Sequence, residues 1–370
     1  MVKNEYDNLV SFTDTSVCVM GGTNSEKILE LLKEELILGT KIPVTSSCGI
    51  GGGGLNYTAR LISVKRKVFP IIAVGDDKEG IEIRNNLLSL SQKFDLGAEV
   101  DKYIANDGFL CEGYKTPRST IVNERKNQRR TILKEKTNEH VLVDFFFQRL
   151  RSLDIHKFGA LIIGHLPFFE GSAEFISEAF DKFSNKSVVF INFGHTQLAH
   201  GFSFWEPVLE RADILQFNLT EAFQFFFPSV KYKPEIEVLI ERLKSIPATC
   251  VITLGKLGAI VSTRLSEQII FIKPFPELNV KDYTGAGDAF GSGLVHGLCG
   301  KTKFSNENLK NSLLLARLFA AYACTTLGGA SNCPSNRELK DFYALDKEFI
   351  PIEKLATIDF MKSINYDLVH

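Results

Sequence analysis

The sequence lacks a surplus of charge of either sign. Its 43 Lys and Arg residues stand against 44 Asp and Glu, for a formal net charge of −1. Such a balance gives no global field that would draw the protein onto nucleic acid or an anionic membrane. We therefore expect small-molecule partners, with neither nucleic acid nor membrane among them.

The sequence also lacks a secretory signal, paired cysteines and long apolar runs. Residues 1–7 do not show the charged-then-apolar order of a signal peptide, and no continuous apolar run approaches the roughly 18 residues that span a bilayer. None of the seven cysteines forms a CxxC pair, and no Cys or carboxylate completes a zinc pattern with the histidines. These absences predict a cytoplasmic protein with reduced thiols and no structural zinc.

What is present is the pattern of an α/β protein, in a chain of 370 residues that is 44% hydrophobic. Short apolar runs alternate with segments of helical period, which is typical of a parallel sheet covered by helices on both faces. The predicted strands are 17–20, 68–74, 160–163, 188–191, 213–217 and 250–254. Two later runs, 259–263 and 268–272, predict an antiparallel far edge, and helices are expected over 285–298 and 308–327.

Two regions interrupt this alternation, 38–47 and 108–136. They predict extra strands that form a separate small sheet. Between Lys115 and Lys136 there are eight Lys or Arg residues against two Glu. This local excess could attract an anionic substrate, although a solvated hairpin tip explains the same residues.

The segment Asp-Tyr-Thr-Gly-Ala-Gly-Asp at 282–288 carries the strongest chemical signal. Gly285, Ala286 and Gly287 open a predicted helix, where backbone N–H groups not covered by large side chains can bind an anion. Asp288, in the first turn, could take a proton from an attacking hydroxyl. The plain alternative is a glycine-rich helix start with Asp288 as a capping carboxylate. The segment is not a Walker A motif, because Gly-Lys-Ser/Thr is missing.

Glycines also precede an asparagine at 51–56. Gly52 and Gly53 would let the backbone approach a polyhydroxylated ligand, and Asn56 can both donate to and accept from its hydroxyls. A flexible turn is the alternative interpretation.

Two further polar segments follow predicted strands. Asn218 and Glu221 stand three residues apart, a spacing that suits either a hydrated Mg²⁺ or a helix capping box. Thr253 and Gly255 end a strand, where α/β sheets place ligand loops or where a plain turn into the next hairpin begins.

Segment 282–288 resembles the D-T-x-G-A-G-D signature of the ribokinase, or PfkB, family of sugar and nucleoside kinases. Other marks of the family follow its order along 17–339. They are a glycine signature ending in Asn56, G-x-D-x-x-G at 75–80, G-x-L-P at 164–167, N-x-x-E at 218–221, T-L-G-x-x-G at 253–258 and a late glycine loop at 328–330.

The resemblance implies a single ribokinase-like domain over 1–370, a three-layer α/β/α sandwich with a small β-sheet lid from about 38–47 and 108–136. It implies ATP-dependent phosphorylation of a hydroxyl on a sugar or sugar phosphate. ATP and Mg²⁺ would be the cofactors, and a monovalent cation is left open. Lid strands of the family often pair between subunits, so the resemblance also implies a homodimer through the lid.

The resemblance assigns roles to individual residues. Asp288 would be the catalytic base, beside an anion hole of Gly285, Ala286 and Gly287. The acceptor-binding residues would be Asn24, Glu26, Gly52, Gly53, Asn56 and Asp288. The nucleotide-binding residues would be Asn218, Thr253, Gly255, Gly258, Gly285, Gly287 and Gly329, with Glu221 and Asn218 near the metal.

Three departures from the family pattern concern the substrate. Glu26 stands where the family's G-x-N-x-D has Asp, Tyr283 replaces the second Thr of the signature, and Gln216 stands where some phosphosugar kinases carry Lys. The four glycines before Leu55 and Asn56 resemble the phosphofructokinase-2 and tagatose-6-phosphate branch, and a basic lid would suit a phosphorylated sugar.

The acceptor is therefore left open among several classes. The sequence candidates for contacts to an acceptor's own phosphate are Arg60, Lys115, Arg118 and Arg130. Tyr57 and Thr58 would equally suit a nucleoside base, so a nucleoside kinase is the alternative. A catalytically idle, ligand-sensing member of the same fold is the second alternative.

Overall fold

The computed structural model describes residues 6, 9, 15–32, 36–37, 39–105, 109–124, 129–183, 187–228, 235–276, 278–301, 305–326, 328–330, 333–346 and 352–354. Its strands are β1 Ser16–Gly21, β2 Asn24–Leu31, β3 Val44–Gly51, β4 Val68–Ile71, β5 Arg118–Glu124, β6 Arg129–Lys134, β7 Phe158–Gly164, β8 Val188–Asn192, β9 Ile214–Asn218, β10 Thr249–Thr253, β11 Ala259–Thr263, β12 Ser266–Ile272 and β13 Ile352–Lys354.

The α-helices are α1 Gly53–Ser63, α2 Lys78–Phe94, α3 Ala98–Ala105, α4 Leu142–Ser152, α5 Ser172–Phe183, α6 His195–Leu198, α7 Gly201–Leu209, α8 Leu219–Phe226, α9 Ile236–Lys244, α10 Ala286–Leu298, α11 Asn306–Cys324 and α12 Asn336–Tyr343. Short 3₁₀ turns lie at Glu139–Val141, Ile155–Lys157 and Gly255–Leu257. Among these described helices, none is both long and apolar enough to cross a membrane.

The central sheet has nine strands in the order β13-β12-β11-β10-β9-β8-β7-β1-β4. The six strands from β4 to β10 are parallel, and every residue of β1, β7 and β8 is buried. Burial on both faces explains why these strands stand out in the sequence as continuous apolar runs. The antiparallel edge predicted at β11 and β12 is confirmed, and β13 extends it by one strand that the sequence did not predict.

A second, four-stranded sheet has the order β3-β2-β5-β6. We call it the lid. The ribokinase-like α/β fold with a second small sheet is thus confirmed. The single domain over 1–370 and the dimer through the lid stay predictions.

The predicted lid boundaries differ from the observed strands. β3 begins at Val44, later than the predicted 38–47, and β2 was not predicted. β2 is half-buried and carries Glu26, Lys27 and Glu30, so its sequence shows no clear strand period. Its pairing with β3 on one side and β5 on the other forms the strand. Residues 38, 108 and 125–128 of the predicted lid lie outside the described residues.

The repeated phenylalanines at 145–147 and 225–227 pack in or against the core. Phe146 and Phe225 are fully buried, and they stack on Phe169 and Phe217 with ring centroids 5.3 and 5.0 Å apart. Such pairs add stability beyond the apolar area that they bury. The repeated Phe segments of the sequence are therefore packing elements of the sheet and its helices.

Helix α10, which begins at the signature segment, lies very close to α11. A Cβ atom at Gly293 would come within 2.7 Å of the Leu315 carbonyl oxygen, and one at Gly297 within 2.8 Å of Ser312 Cα. Neither distance is possible for a real side chain, so glycine at both positions lets the two helices touch through their backbones. This contact holds the middle and the C-terminal half of α10 against α11.

Gly293→Ala should destabilise the protein by about 1–3 kcal/mol, because the added methyl group overpacks the contact with α11. Helix propensity acts in the opposite direction, since alanine is a better helix former than glycine by about 1 kcal/mol. Urea unfolding at equilibrium measures the outcome.

Gly49→Ala is the matched control, because the nearest atom to its added Cβ would be Ile28 Cδ1 at 3.7 Å. This variant should unfold close to the wild-type midpoint. A Gly293→Ala protein more stable than the wild type would contradict the close contact.

Candidate active site

The predicted site residues meet at one edge of the central sheet. β1, β7, β9 and β10 are parallel, so their carboxyl ends at Gly21, Gly164, Asn218 and Thr253 lie along the same edge. Ligand loops of α/β sheets lie at this edge. The sequence folds this way locally because each buried apolar strand ends at a glycine or a polar residue.

The N-terminus of α10 is left open. Its N-cap, Gly285, has φ +72°, a left-handed conformation that favours glycine, and no described side chain caps the helix. Within the described contacts, the Ala286 N–H donates weakly to the Tyr283 carbonyl at 3.2 Å, whereas the N–H groups of Gly285 and Gly287 find no protein acceptor. The end of this helix can therefore bind an anion, mainly through two of the three predicted amides.

Asp282 fixes the loop that precedes the helix. Its Oδ1 accepts from the Thr284 N–H at 2.8 Å and from Thr284 Oγ1 at 2.6 Å, and its Oδ2 accepts from the Gly328 N–H at 2.9 Å. This carboxylate joins the signature segment to the late glycine loop. It does not cap α10, which helps to keep the helix amides open.

Asp288 and Asn56 are in direct contact although 232 positions separate them in the chain. Asn56 Nδ2 donates to Asp288 Oδ2 at 2.7 Å, and both side chains are buried. Asn56 engages one of the two carboxylate oxygens, and its own Oδ1 is buried without a partner in the described part of the chain. A Cβ at Gly329 would lie 2.8 Å from this Oδ1, so the late glycine loop packs on Asn56.

The glycines before Asn56 bring backbones together. Gly52, the N-cap of α1, has φ +96°, and a Cβ there would come within 2.6 Å of Thr23 Cα. A Cβ at Gly53 would come within 2.8 Å of His165 Cβ. The start of α1 is therefore pressed against the loops after β1 and β7, at the edge where Asn56 lies.

Glu26 and Asn24 reach the site from β2 of the lid. Asn24 Nδ2 donates to Ser119 Oγ at 2.8 Å, and Glu26 lies against Gly51, where a side chain would clash with its carboxylate. Burial raises the pKa of Glu26, and the positive charge of Arg130 partly offsets the rise. The negative charge of Asp288 raises that pKa further.

Asn218 and Glu221 form a capping box at the start of α8. Asn218 Oδ1 accepts from the Glu221 N–H, and Glu221 Oε2 accepts from the Asn218 N–H, both at 2.8 Å. The capping alternative is thus observed, and it leaves the other carboxylate oxygen of Glu221 outside the box. Burial raises the pKa of Glu221, the charge of His165 opposes that rise, and Asp288 adds to it.

A mostly apolar cavity of about 220 Å³ lies between β10, β11 and α10. The predicted nucleotide-binding residues Thr253, Gly255, Gly258 and Gly287 line it, together with side chains such as Phe275. Asn218, Gly285 and Gly329 do not line it. Gly258 has φ +102°, and any side chain there would clash with the Ile272 carbonyl. The structure therefore collects most, but not all, of the predicted nucleotide-binding residues around one cavity.

The four basic candidates lie in different surroundings. Lys115 pairs with Glu135 at 3.2 Å and Arg118 with Glu79 at 2.8 Å, so their charges are matched by carboxylates. Arg130 Nη1 donates to Thr284 Oγ1 at 2.7 Å, which brings the lid to the signature segment. Arg60 is buried in α1 beside Gly285. Of the three lid residues, Arg130 is thus the one that approaches the site.

Two residues with no predicted role also lie in the site. His165 follows β7 with φ +47°, a strained conformation for a residue other than glycine, and its charge acts on Glu221. Gln216 Nε2 donates to the Gly287 carbonyl at 2.8 Å, and its buried Oε1 has no partner among the described residues. The spacing of the histidines along the sequence does not indicate that His165 lies in the site. Its position in the G-x-L-P turn at 164–167 is the sequence feature that does.

The site contains carboxylates but no ready-made cage of metal ligands. Across the described ranges, no group of three or more His, Cys, Asp or Glu side chains is arranged to hold an ion. A magnesium ion that keeps several of its waters does not need such a cage.

Comparison with protein families gives a match to the pfkB family carbohydrate kinase over residues 203–336. An ATP-dependent 6-phosphofructokinase of Thermoanaerobacterium thermosaccharolyticum is 32% identical over 148 residues, which are 40% of this chain and 42% of that protein. An uncharacterized sugar kinase of Dictyostelium discoideum is 36% identical over 73 residues, 20% of this chain and 19% of that protein. The chain thus matches less than half the length of these relatives.

Solved structures match over nearly the whole chain. A ribokinase of Cryptococcus neoformans in complex with ADP has a TM-score of 0.67 at 19% identity, covering 88% of this chain and 99% of its own. A nucleoside kinase of Burkholderia thailandensis in complex with inosine has a TM-score of 0.65 at 16% identity, covering 90% and 99%. At these identities the likeness shows the fold. The solved structures thus show a ribokinase-like fold over nearly the whole chain, and the pfkB family match lies within it at residues 203–336.

Proposed function

We propose that the protein transfers the γ-phosphoryl group of ATP to a hydroxyl of a sugar or sugar phosphate, with Asp288 as the general base. The observation that carries this proposal is the contact between Asp288 and Asn56 at the open N-terminus of α10. A fixed carboxylate beside an anion-binding helix end suits phosphoryl transfer, in which an acceptor hydroxyl and a phosphoryl group must meet.

In the proposed reaction, the hydroxyl oxygen of the acceptor bonds to the γ-phosphorus as the bond from that phosphorus to the β,γ-bridging oxygen breaks. The proton of the hydroxyl passes to Asp288, and ADP leaves with the electron pair of the broken bond. Asn56 orients the carboxylate through Oδ2, and the N–H groups of Gly285 and Gly287 face the developing charge.

Asn218 and Glu221 would hold Mg²⁺. The half-buried Glu221 carboxylate, whose pKa is raised by desolvation and by the nearby Asp288 charge, fits a site that gains from an added cation. Bound Mg²⁺ would neutralise the charge of the ATP phosphates. The nucleotide itself would lie along Thr253, Gly255 and Gly258 in the apolar cavity.

The acceptor would lie between the lid and α1. Asn24 and Glu26 face it from β2, Gly52 and Gly53 allow it close to the backbone, and the partnerless Asn56 Oδ1 can accept from one of its hydroxyls. A lid over the acceptor excludes water, which would otherwise compete for the phosphoryl group.

Arg130 favours an anionic acceptor. Its hydrogen-bond partner Thr284 is neutral and does not cancel the charge of the guanidinium. That positive charge already offsets part of the rise in the pKa of the buried Glu26. A phosphate on the acceptor would form the charge-assisted hydrogen bonds that arginine makes best. We therefore propose a sugar phosphate ahead of a free sugar.

The nucleoside alternative loses part of its support. Tyr57 and Thr58, expected to suit a base, are fully buried, and the Tyr57 hydroxyl donates to Asn192 Oδ1 at 3.3 Å. Tyr57 and Thr58 are the fifth and sixth residues of α1, and the Thr58 hydroxyl donates to the Gly54 carbonyl at 2.7 Å, so neither side chain offers an exposed surface to a base. The idle alternative is disfavoured by the retained contact between Asp288 and Asn56.

Asp288→Asn should lower kcat by about 10²–10⁴, because the amide cannot accept the proton of the acceptor. ATP affinity should stay close to that of the wild type, since the amides of α10 and the apolar cavity remain. ADP release measures turnover, and isothermal titration measures ATP binding. Asp341→Asn, an exposed carboxylate on α12, is the matched control. Near-normal turnover in Asp288→Asn would remove Asp288 from the role of base.

Arg130→Met should raise the KM for a sugar phosphate about tenfold or more, the loss expected for hydrogen bonds to a charged group. The KM for ATP should change little. Initial-rate kinetics with each substrate varied in turn measure both constants. Lys115→Met is the control, because Glu135 already neutralises Lys115. Equal effects of the two substitutions would show that Arg130 makes no specific contact with the acceptor.

A further inference from the structure

Arg60 is a buried cation without an acidic partner. It is 3% exposed in the middle of α1, and the one hydrogen bond of its side chain within the described chain runs from Nη1 to the Asn56 carbonyl at 3.2 Å. Burying a guanidinium away from water is costly unless an anion compensates it. No described carboxylate forms an ion pair with Arg60, so its charge is unmatched within this part of the protein.

The free end of Arg60 lies against the open helix end. A Cβ at Gly285 would come within 2.8 Å of Arg60 Nη2 and within 3.2 Å of Gly329 Cα. The N-cap of α10, the late glycine loop and the guanidinium therefore converge at one point. Arg60 Nη1 donates to the backbone carbonyl of Asn56, and the side chain of Asn56 in turn donates to Asp288.

Two partnerless polar atoms show that this point is built for a ligand. Asn56 Oδ1 and Gln216 Oε1 are buried without a partner in the described residues, although both side chains are otherwise tied to the start of α10. The Gln216 amide cannot be flipped to remove the problem, because its Nε2 donates to the Gly287 carbonyl, which can only accept. Buried polar groups of this kind are expected to find their partners in a bound molecule. Both atoms are hydrogen-bond acceptors, so they suit a hydroxyl of the ligand, whereas phosphoryl oxygens beside them would be bound by Arg60 and the helix amides.

We propose that Arg60 is the fixed counter-charge of a phosphoryl-binding site that it forms with the N-terminus of α10. The inference rests on the proposed function, because the group bound there in the reaction would be the one taken from ATP. Sequence reasoning grouped Arg60 with residues that could bind the acceptor's own phosphate. Its contact with Gly285 instead assigns it to the transferred group, while Arg130 serves the acceptor.

This role has a thermodynamic signature that a structural role does not share. An unmatched buried charge destabilises the ligand-free protein, and replacing it by an apolar side chain of similar size is often neutral or stabilising. An anion that binds the site compensates the charge and stabilises the folded state by mass action. The ligand-free protein should therefore tolerate the loss of Arg60, whereas the anion-bound protein should not.

Thermal unfolding of wild type, Arg60→Met and Arg60→Lys in rising inorganic phosphate, against chloride at equal ionic strength, tests the proposal. We expect the Tm of the wild type to rise with phosphate. Arg60→Met should have an equal or higher Tm without phosphate and bind phosphate about tenfold more weakly or worse, and Arg60→Lys should keep part of the response. Arg337→Met, an exposed arginine on α12, should respond as the wild type does.

Three results would overturn the proposal: no phosphate response in the wild type, an unchanged response in Arg60→Met, or a Tm of ligand-free Arg60→Met well below that of the wild type. The last would mark Arg60 as a structural residue.

A kinetic experiment separates this inference from the proposed function. If no acceptor yields ADP, the kinase proposal fails while the phosphate titration still decides the role of Arg60. If ADP is released, Arg60→Met should lower kcat more than it raises either KM.

Discussion

The site depends on one constraint: the first turn of α10 must come into contact with α1 while its backbone amides stay uncovered. The Asn56–Asp288 hydrogen bond spans that contact, and Gly285, in a left-handed conformation with no side-chain cap, leaves the amides open. Gly293 holds the helix against α11 farther along. A side chain at Gly285 or Gly293 would clash, so the same residues that allow the packing also allow the chemistry.

Charge in this site is concentrated and incompletely matched. Burial raises the pKa of Glu26 and of Glu221, and the charge of Asp288 adds to both rises. Arg130 meets these carboxylates from the lid, and Arg60 lies behind the helix end. In the proposed reaction, Mg²⁺ would oppose the carboxylates, whereas the phosphate groups would face Arg60, Arg130 and the open amides of α10.

The sequence was sufficient for the central sheet, because strands buried on both faces are continuous apolar runs, and for the meeting of Asn56 with Asp288, because family motifs mark both. It was insufficient for β2, whose half-exposed residues form a strand only through pairing with β3 and β5. The positions of Arg60, Gln216 and Tyr57 could not be predicted either. Whether such a side chain faces ligand or core depends on its direction from α1 or β9, which only the packing of those elements determines.

The central claim is that this site phosphorylates an anionic sugar. Its most direct test is ADP release by the wild-type protein with ATP and Mg²⁺ over paired acceptors, each sugar with its phosphorylated form, together with a set of nucleosides. The account predicts ADP release with the highest kcat/KM for a sugar phosphate, above its unphosphorylated parent and above every nucleoside. A nucleoside as the best acceptor, or no ADP release from any member of a broad panel, would contradict it.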